Sequence, residues 1–260
     1  MMQSWTERLE KRLAHGAYKH GPDVFARSSG WLAAQLVAEA ADVGGWSVVL
    51  RARALQYPEG PERDAVLHAT VELARASLRL HWGVSTLRRW LPASALERLP
   101  TPATLPALPW ITRAPDLDDE VFPQHAPGDG ASWGDTVLAR LRRGYATYGD
   151  QSFHRPGAEL CLELGDELCG LAGWAWVLRN NVEVSLVRLA PLEVVDRQLR
   201  GLARSAGRTY HLAAAAQVVC VGLDALPPAA PSRLDQGAAE WLAFVAQTTR
   251  RHYTTAPGTV

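Results

Sequence analysis

The sequence predicts an all-α protein in which one helical bundle is written twice, a tandem duplication arranged as a pseudo-dimer. Three observations predict it. Apolar residues recur at helical spacing in segment after segment. Alternating β-branched runs are nearly absent, VEVSLVRL at 182–189 being the exception. Residues 4–51 align without a gap on residues 132–179 at an offset of 128, with roughly a third of the positions identical. The matched pairs include Trp5 with Trp133, Gly16 with Gly144, Gly21 with Gly149, Phe25 with Phe153, Arg27 with Arg155, Glu39 with Glu167, and Gly45-Trp46 with Gly173-Trp174. Unrelated amphipathic helices share leucines easily, but not tryptophan, glycine, phenylalanine and arginine across a helix, a loop and a second helix.

In each copy Trp5, Leu9 and Leu13, or Trp133, Val137 and Leu141, fall at i, i+4 and i+8 and predict a first helix with one buried stripe. A glycine-containing loop follows, KHGPDVFARSSG or TYGDQSFHRPG. The second helix carries Leu32, Leu36 and Val43 in the first copy, and Leu160, Leu164, Leu168 and Leu171 in the second. PEGP at 58–61 ends that helix and seeds the next, since Pro61 lacks an N–H that a first turn would leave unpaired anyway. This third helix is expected to run to about Trp82, with a short one, VSTLRRWL, after it. In the second copy 192–223 predicts one or two helices broken near Gly207, and 235–253 predicts another after LPPAAPS. The domain reading is a first repeat at 1–98, a proline-rich linker at 99–131 and a second repeat at 132–260. TPATLPALPW and PQHAPGDG cannot continue a helix, and Leu105, Leu108, Trp110 and Ile111 fit a linker that packs along a surface as it crosses the bundle.

With 260 residues, 47% hydrophobic and 21% charged, the composition is that of a globular chain with a real core. Its 27 basic and 27 acidic side chains leave no global field to gather a polyanion, so nucleic acid is not expected as a partner. The longest apolar stretch, 212–223, is interrupted by Gln217 and too short for a bilayer, so no membrane partner is expected either. MMQSWTERLEKRL has no apolar signal region. The three cysteines form no CxxC pair and no even framework, the pattern of free thiols in a reducing cytoplasm. No HExxH, phosphate-binding glycine loop or GxSxG motif occurs, and Trp46, Trp174 and Trp176 read as core.

The second helix of the second copy is the unusual feature. Between 156 and 178 it holds Glu159, Glu163, Asp166 and Glu167 and no lysine or arginine. Glutamates at i, i+4 and i+8 stack on one face and repel by a few tenths of a kcal/mol per pair. A hard divalent cation would relieve that repulsion through oxygen ligands; counter-charges from other helices would do so equally. The matching helix of the first copy has Glu39-x-x-Asp42 on one face, and Glu7-x-x-Glu10 lies upstream. Trp31 and Gln35 stand where the second copy has Glu159 and Glu163, so the copies are not chemically equivalent.

An amphipathic helix, the loop Tyr148-Gly149-Asp150-Gln151-Ser152-Phe153 and the helix ELCLELGDELCGLAGWAWVL together resemble the MazG-type all-α nucleoside triphosphate pyrophosphohydrolases and their phage-borne relatives. The resemblance covers about 50 residues in each copy. It implies a helical bundle whose facing helices carry ExxE and ExxD carboxylates that hold Mg²⁺, with Mn²⁺ as the substitute, around nucleotide phosphates. Water attack between the α- and β-phosphates then gives a monophosphate and pyrophosphate. By position, Glu159, Glu163, Asp166, Glu167, Glu39 and Asp42 are the implied metal ligands, with Glu163, Glu167 and Glu39 in catalysis. Arg155, Arg27 and Lys19 are the cations placed to bind a nucleotide or other small phosphorylated ligand. The chain departs from the pattern at Gly170, where an ExxD aspartate would fall after Glu167, and at Trp31 and Gln35. One composite site, one weakened site, or a helical binding or assembly module without catalysis, with a second copy or another protein as partner, are the alternatives.

Overall fold

A computed structural model describes residues 4–20, 29–88, 90–91, 130–149, 151, 154–185, 192–227 and 237–254. The described chain is helical almost throughout and contains no strand among those residues. Its seven helices are α1 (Trp5–His20), α2 (Ser29–Ala54), α3 (Pro61–Arg88), α4 (Gly130–Tyr148), α5 (Gly157–Ser185), α6 (Leu192–Asp224) and α7 (Ala238–Thr254). The expected linker lies outside the described residues except for its last two positions, which already belong to α4.

The helix ends follow local chemistry. At α1 the Glu7 N–H donates to Ser4 Oγ and the Ser4 N–H donates back to the Glu7 carboxylate, a reciprocal cap. Pro61 opens α3 as its φ and missing N–H favour. The first turn of α5 is capped from a distance: the Gly157 and Ala158 N–H groups each donate to the Asp224 carboxylate at 3.0 Å, from the end of α6.

Two expected breaks do not occur. α3 continues through Gly83 to Arg88 and absorbs most of the short helix expected after Trp82. α6 is one helix through Gly207. Neither glycine terminates its helix, and Gly83 serves a close approach. A Cβ on Gly83 would stand 2.8 Å from Leu202 Cδ2, and one on Gly207 would touch the Trp5 ring at 3.6 Å.

The main core joins α1, α2, α3, α5 and α6 through Leu9, Leu36, Leu73, Leu164, Leu168 and Leu199, all fully buried. Each such leucine contributes about 1.5–3 kcal/mol by leaving water. A second core is built on α4 and α7 against α2 and α3, around Trp82, Trp133, Val137 and Leu242. Trp133 is fully buried and donates its indole N–H to Ser77 Oγ at 3.0 Å, which satisfies the one polar atom it carries inward. The first helix of each copy packs on the second helix of the other: α1 on α5, and α4 on α2. No described helix is long and apolar enough to cross a membrane.

Candidate functional site

The second helices of the two copies, α2 and α5, run antiparallel against each other. Their register is fixed by two reciprocal hydrogen bonds: Trp174 Nε1 donates to Glu39 Oε1 at 3.0 Å, and Trp46 Nε1 donates to Glu167 Oε1 at 3.4 Å. Each indole therefore reaches the glutamate of the other copy, through residues that match at the offset of 128. The close packing below them is reciprocal too. A Cβ on Gly173 would meet Leu13 Cδ2 at 2.9 Å, and one on Gly45 would meet Leu141 Cδ2 at 3.4 Å.

Between the two helices, Glu39, Asp42 and Glu167 each bring a carboxylate oxygen within 4.8 Å of the others. The first helices deliver the counter-charge. Arg12 of α1 places Nη2 at 3.2 Å from Glu167 Oε2 and 3.6 Å from Glu39 Oε2. Arg140 of α4, the match of Arg12, donates through Nε and Nη2 to both oxygens of Asp42. Glu39 is 8% exposed, and its Oε2 is buried without a hydrogen bond. Burial and the neighbouring Glu39 push the Glu167 carboxyl well above its ordinary value, against Arg12 and Trp46. Burial also raises Asp42, although its bonds to Arg140 oppose the shift. Two guanidinium groups thus face three carboxylates, leaving one negative charge for a proton or a cation to offset.

The other expected acids do not converge on this cluster. Asp166 pairs with Arg8 Nε at 2.7 Å, and Arg8 also donates to the Leu162 carbonyl. Glu163 pairs with Arg155 at 2.8 Å, and the Arg155 guanidinium lies over the Trp46 ring at 5.3 Å from its centroid. Glu159 is exposed and takes no ion pair among the described residues. The row of acids without bases on α5 is therefore largely matched by arginines on α1 and in the preceding loop. Arg27 and the Lys19 side chain lie outside the described residues. Sequence reasoning passed over Arg8, Arg12 and Arg140; for the last two the signal was present, since they match each other across the copies.

The donor set suits a hard cation. It is all oxygen, it comes from facing helices, and one of its buried oxygens, Glu39 Oε2, has an ion pair but no hydrogen bond. Three oxygens on one octahedral Mg²⁺ include at least two adjacent pairs about 3 Å apart, so carboxylates whose oxygens lie within 4.8 Å of one another would draw together and Arg140 would release one Asp42 oxygen. A comparison with protein-family models, curated proteins and solved structures returns no match.

Proposed function

We propose that the chain is a MazG-like nucleotide pyrophosphohydrolase with one composite acidic site, shared between the two copies as between the halves of a dimer joined about a pseudo-two-fold axis. The observation that carries this reading is the convergence of Glu39 and Asp42 from one copy and Glu167 from the other within 4.8 Å. These three residues would hold Mg²⁺ or Mn²⁺, which supplies Lewis-acid polarisation of the phosphate oxygens when bound. Charge supports a phosphate ligand. A divalent cation added to a cluster one charge short of neutrality leaves an excess positive charge that a phosphate offsets. Arg155, at the rim on Trp46, is placed to meet a phosphate once it parts from Glu163. Glu167 and Glu39, held by indole N–H groups, would orient the attacking water, and the proton that water loses would pass to one of these carboxylates.

A second reading has its own observation. Every carboxylate of the cluster is already engaged by Arg12, Arg140, Trp46 or Trp174, which makes the cluster a self-contained tie between the copies and the protein a helical binding or assembly module. Pyrophosphate release from a panel of nucleoside and deoxynucleoside triphosphates in millimolar Mg²⁺ or Mn²⁺ separates the two. Metal-dependent turnover lost in both Glu39→Gln and Glu167→Gln supports the enzyme. Absence of turnover, together with a melting temperature indifferent to either metal, leaves the module.

A further inference from the structure

The matched positions of α2 and α5 share their central glutamates and tryptophans, differ at Asp42 and Gly170, and differ again toward the N-terminal turns. Glu39 and Glu167, Trp46 and Trp174 are identical pairs, whereas Trp31 is matched in sequence by Glu159, and Gln35 by Glu163. A duplicated site with equal ends suits a ligand with equal ends. A nucleotide has two different ones: charged phosphates and a flat, uncharged base. Resting on the composite site above, we propose that the face of α2 formed by Trp31 and Gln35 holds the nucleobase, with Trp31 as the stacking surface and Gln35 as the group that reads its edge.

Trp31, Gln35, Glu39 and Asp42 lie at i, i+4, i+8 and i+11, on one face of α2. Trp31 is about 12 Å along the axis from Glu39, and Gln35 stands midway. A base on Trp31 therefore leaves its phosphates at the carboxylates. The aromatic surface is tied to the acidic cluster: the Trp31 ring meets Trp174 edge-on at 5.5 Å, and Trp174 donates to Glu39. Both Trp31 and Gln35 are half-buried. The Gln35 amide has no hydrogen-bond partner among the described residues. An amide presents a donor beside an acceptor, the complement of the donor–acceptor edge of adenine. At the opposite end Glu159, Glu163 and Arg155 offer charge and suit a metal–phosphate group, not a base.

Isothermal titration in Mg²⁺ with two probes tests this: α,β-methylene ATP, and inorganic tripolyphosphate, which has no base. The wild type is expected to bind the nucleotide analogue more tightly. Trp31→Ala should weaken the analogue by about tenfold or more and leave tripolyphosphate unchanged, while Trp31→Phe keeps most of the affinity. Gln35→Glu, which replaces the amide donor by an acceptor, should reorder the preference among adenine, guanine, cytosine and uracil analogues. If Trp31→Ala weakens both probes equally, or neither, or if the Gln35→Glu order is unchanged, the base assignment is overturned. A wild type that binds both probes equally overturns the base assignment and leaves the composite site standing; one that binds neither removes both.

Discussion

The carboxylate of Glu39 lies against the backbone of Gly170, so closely that a Cβ there would stand 2.9 Å from Glu39 Cδ and Oε2. Gly170 is the sequence match of Asp42. The side chain missing from the second copy would have occupied the space that the first copy's glutamate takes. A cluster with a fourth carboxylate would crowd another negative charge into a buried space already one charge short of neutrality, so the loss at 170 and the position of Glu39 are two sides of one arrangement.

The first prediction follows from that contact. In an open helix Gly→Ala stabilises by about 1 kcal/mol. Here the neighbour that would have to move is fastened by Trp174 and Arg12. Gly170→Ala is therefore expected to destabilise by about 1–3 kcal/mol, a fall of a few degrees in melting temperature, and Gly170→Asp by more. Thermal unfolding measures it; a Gly170→Ala protein as stable as wild type would mean that Glu39 is free to swing away.

Arg140 gives the second. Its guanidinium holds both oxygens of Asp42, and truncation to alanine leaves a mostly buried carboxylate without its hydrogen bonds, at a cost of about 1–3 kcal/mol. If the cluster takes Mg²⁺, the same change frees Asp42 for the metal. The melting temperature of Arg140→Ala should then rise more steeply with Mg²⁺ than that of wild type, because a ligand of the folded state alone stabilises by mass action. Equal metal responses in the two proteins count against the metal reading.

Much of this was legible in the sequence, for a physical reason. Helical periodicity names the buried face of each segment, and the internal match singles out Glu39, Glu167, Trp46 and Trp174 before any contact is known. It does not say which helix lies opposite. That Arg12 neutralises Glu167 and Arg140 neutralises Asp42 depends on each first helix crossing to the other copy, a tertiary choice that periodicity leaves free. The lack of bases on α5 therefore read as an unmet charge when part of the answer lay more than a hundred residues away. The helix ends expected after Trp82 and near Gly207 fail for the same reason: a glycine that breaks a helix and one that, like Gly83, admits Leu202 look alike in a sequence.

Gly44 gives the third prediction. A Cβ there would stand 2.8 Å from both Ser77 Oγ and Val137 Cγ2. Ser77 cannot yield readily, since its hydroxyl donates to the Ala40 carbonyl and accepts from Trp133. Gly44→Ala is expected to cost about 1–3 kcal/mol and to loosen α4 from α2. Trp133 fluorescence should shift to the red as its site opens, an effect best read in a variant with few other tryptophans. An unshifted spectrum with wild-type stability would show that α4 adjusts without strain.

The last prediction concerns pH and the far end of the bundle, where Asp224 joins three helices. Tyr57 Oη donates to its Oδ1 at 2.6 Å, Arg53 Nη2 donates at 3.1 Å, and the first two N–H groups of α5 complete the shell. Burial alone would raise this carboxyl, but the hydrogen bonds from Ala158, Tyr57, Gly157 and Arg53 prevail and hold it below its ordinary value of 3.8. A depressed folded value means that the unfolded chain takes up the proton first. The stabilisation is therefore complete at pH values well above 3.8 and disappears as pH falls through the folded value. Asp224→Asn keeps the shape but turns an amide toward donors that need an acceptor, so it should cost about 1–3 kcal/mol at neutral pH. The gap between wild type and Asp224→Asn, measured by urea unfolding, should stay constant from pH 7 to about 5 and narrow in more acidic buffer. Tyr57→Phe removes one of the four donors and should shrink the gap without abolishing it. A gap that persists undiminished down to about pH 3 would show that Asp224 acts by packing rather than by its charge.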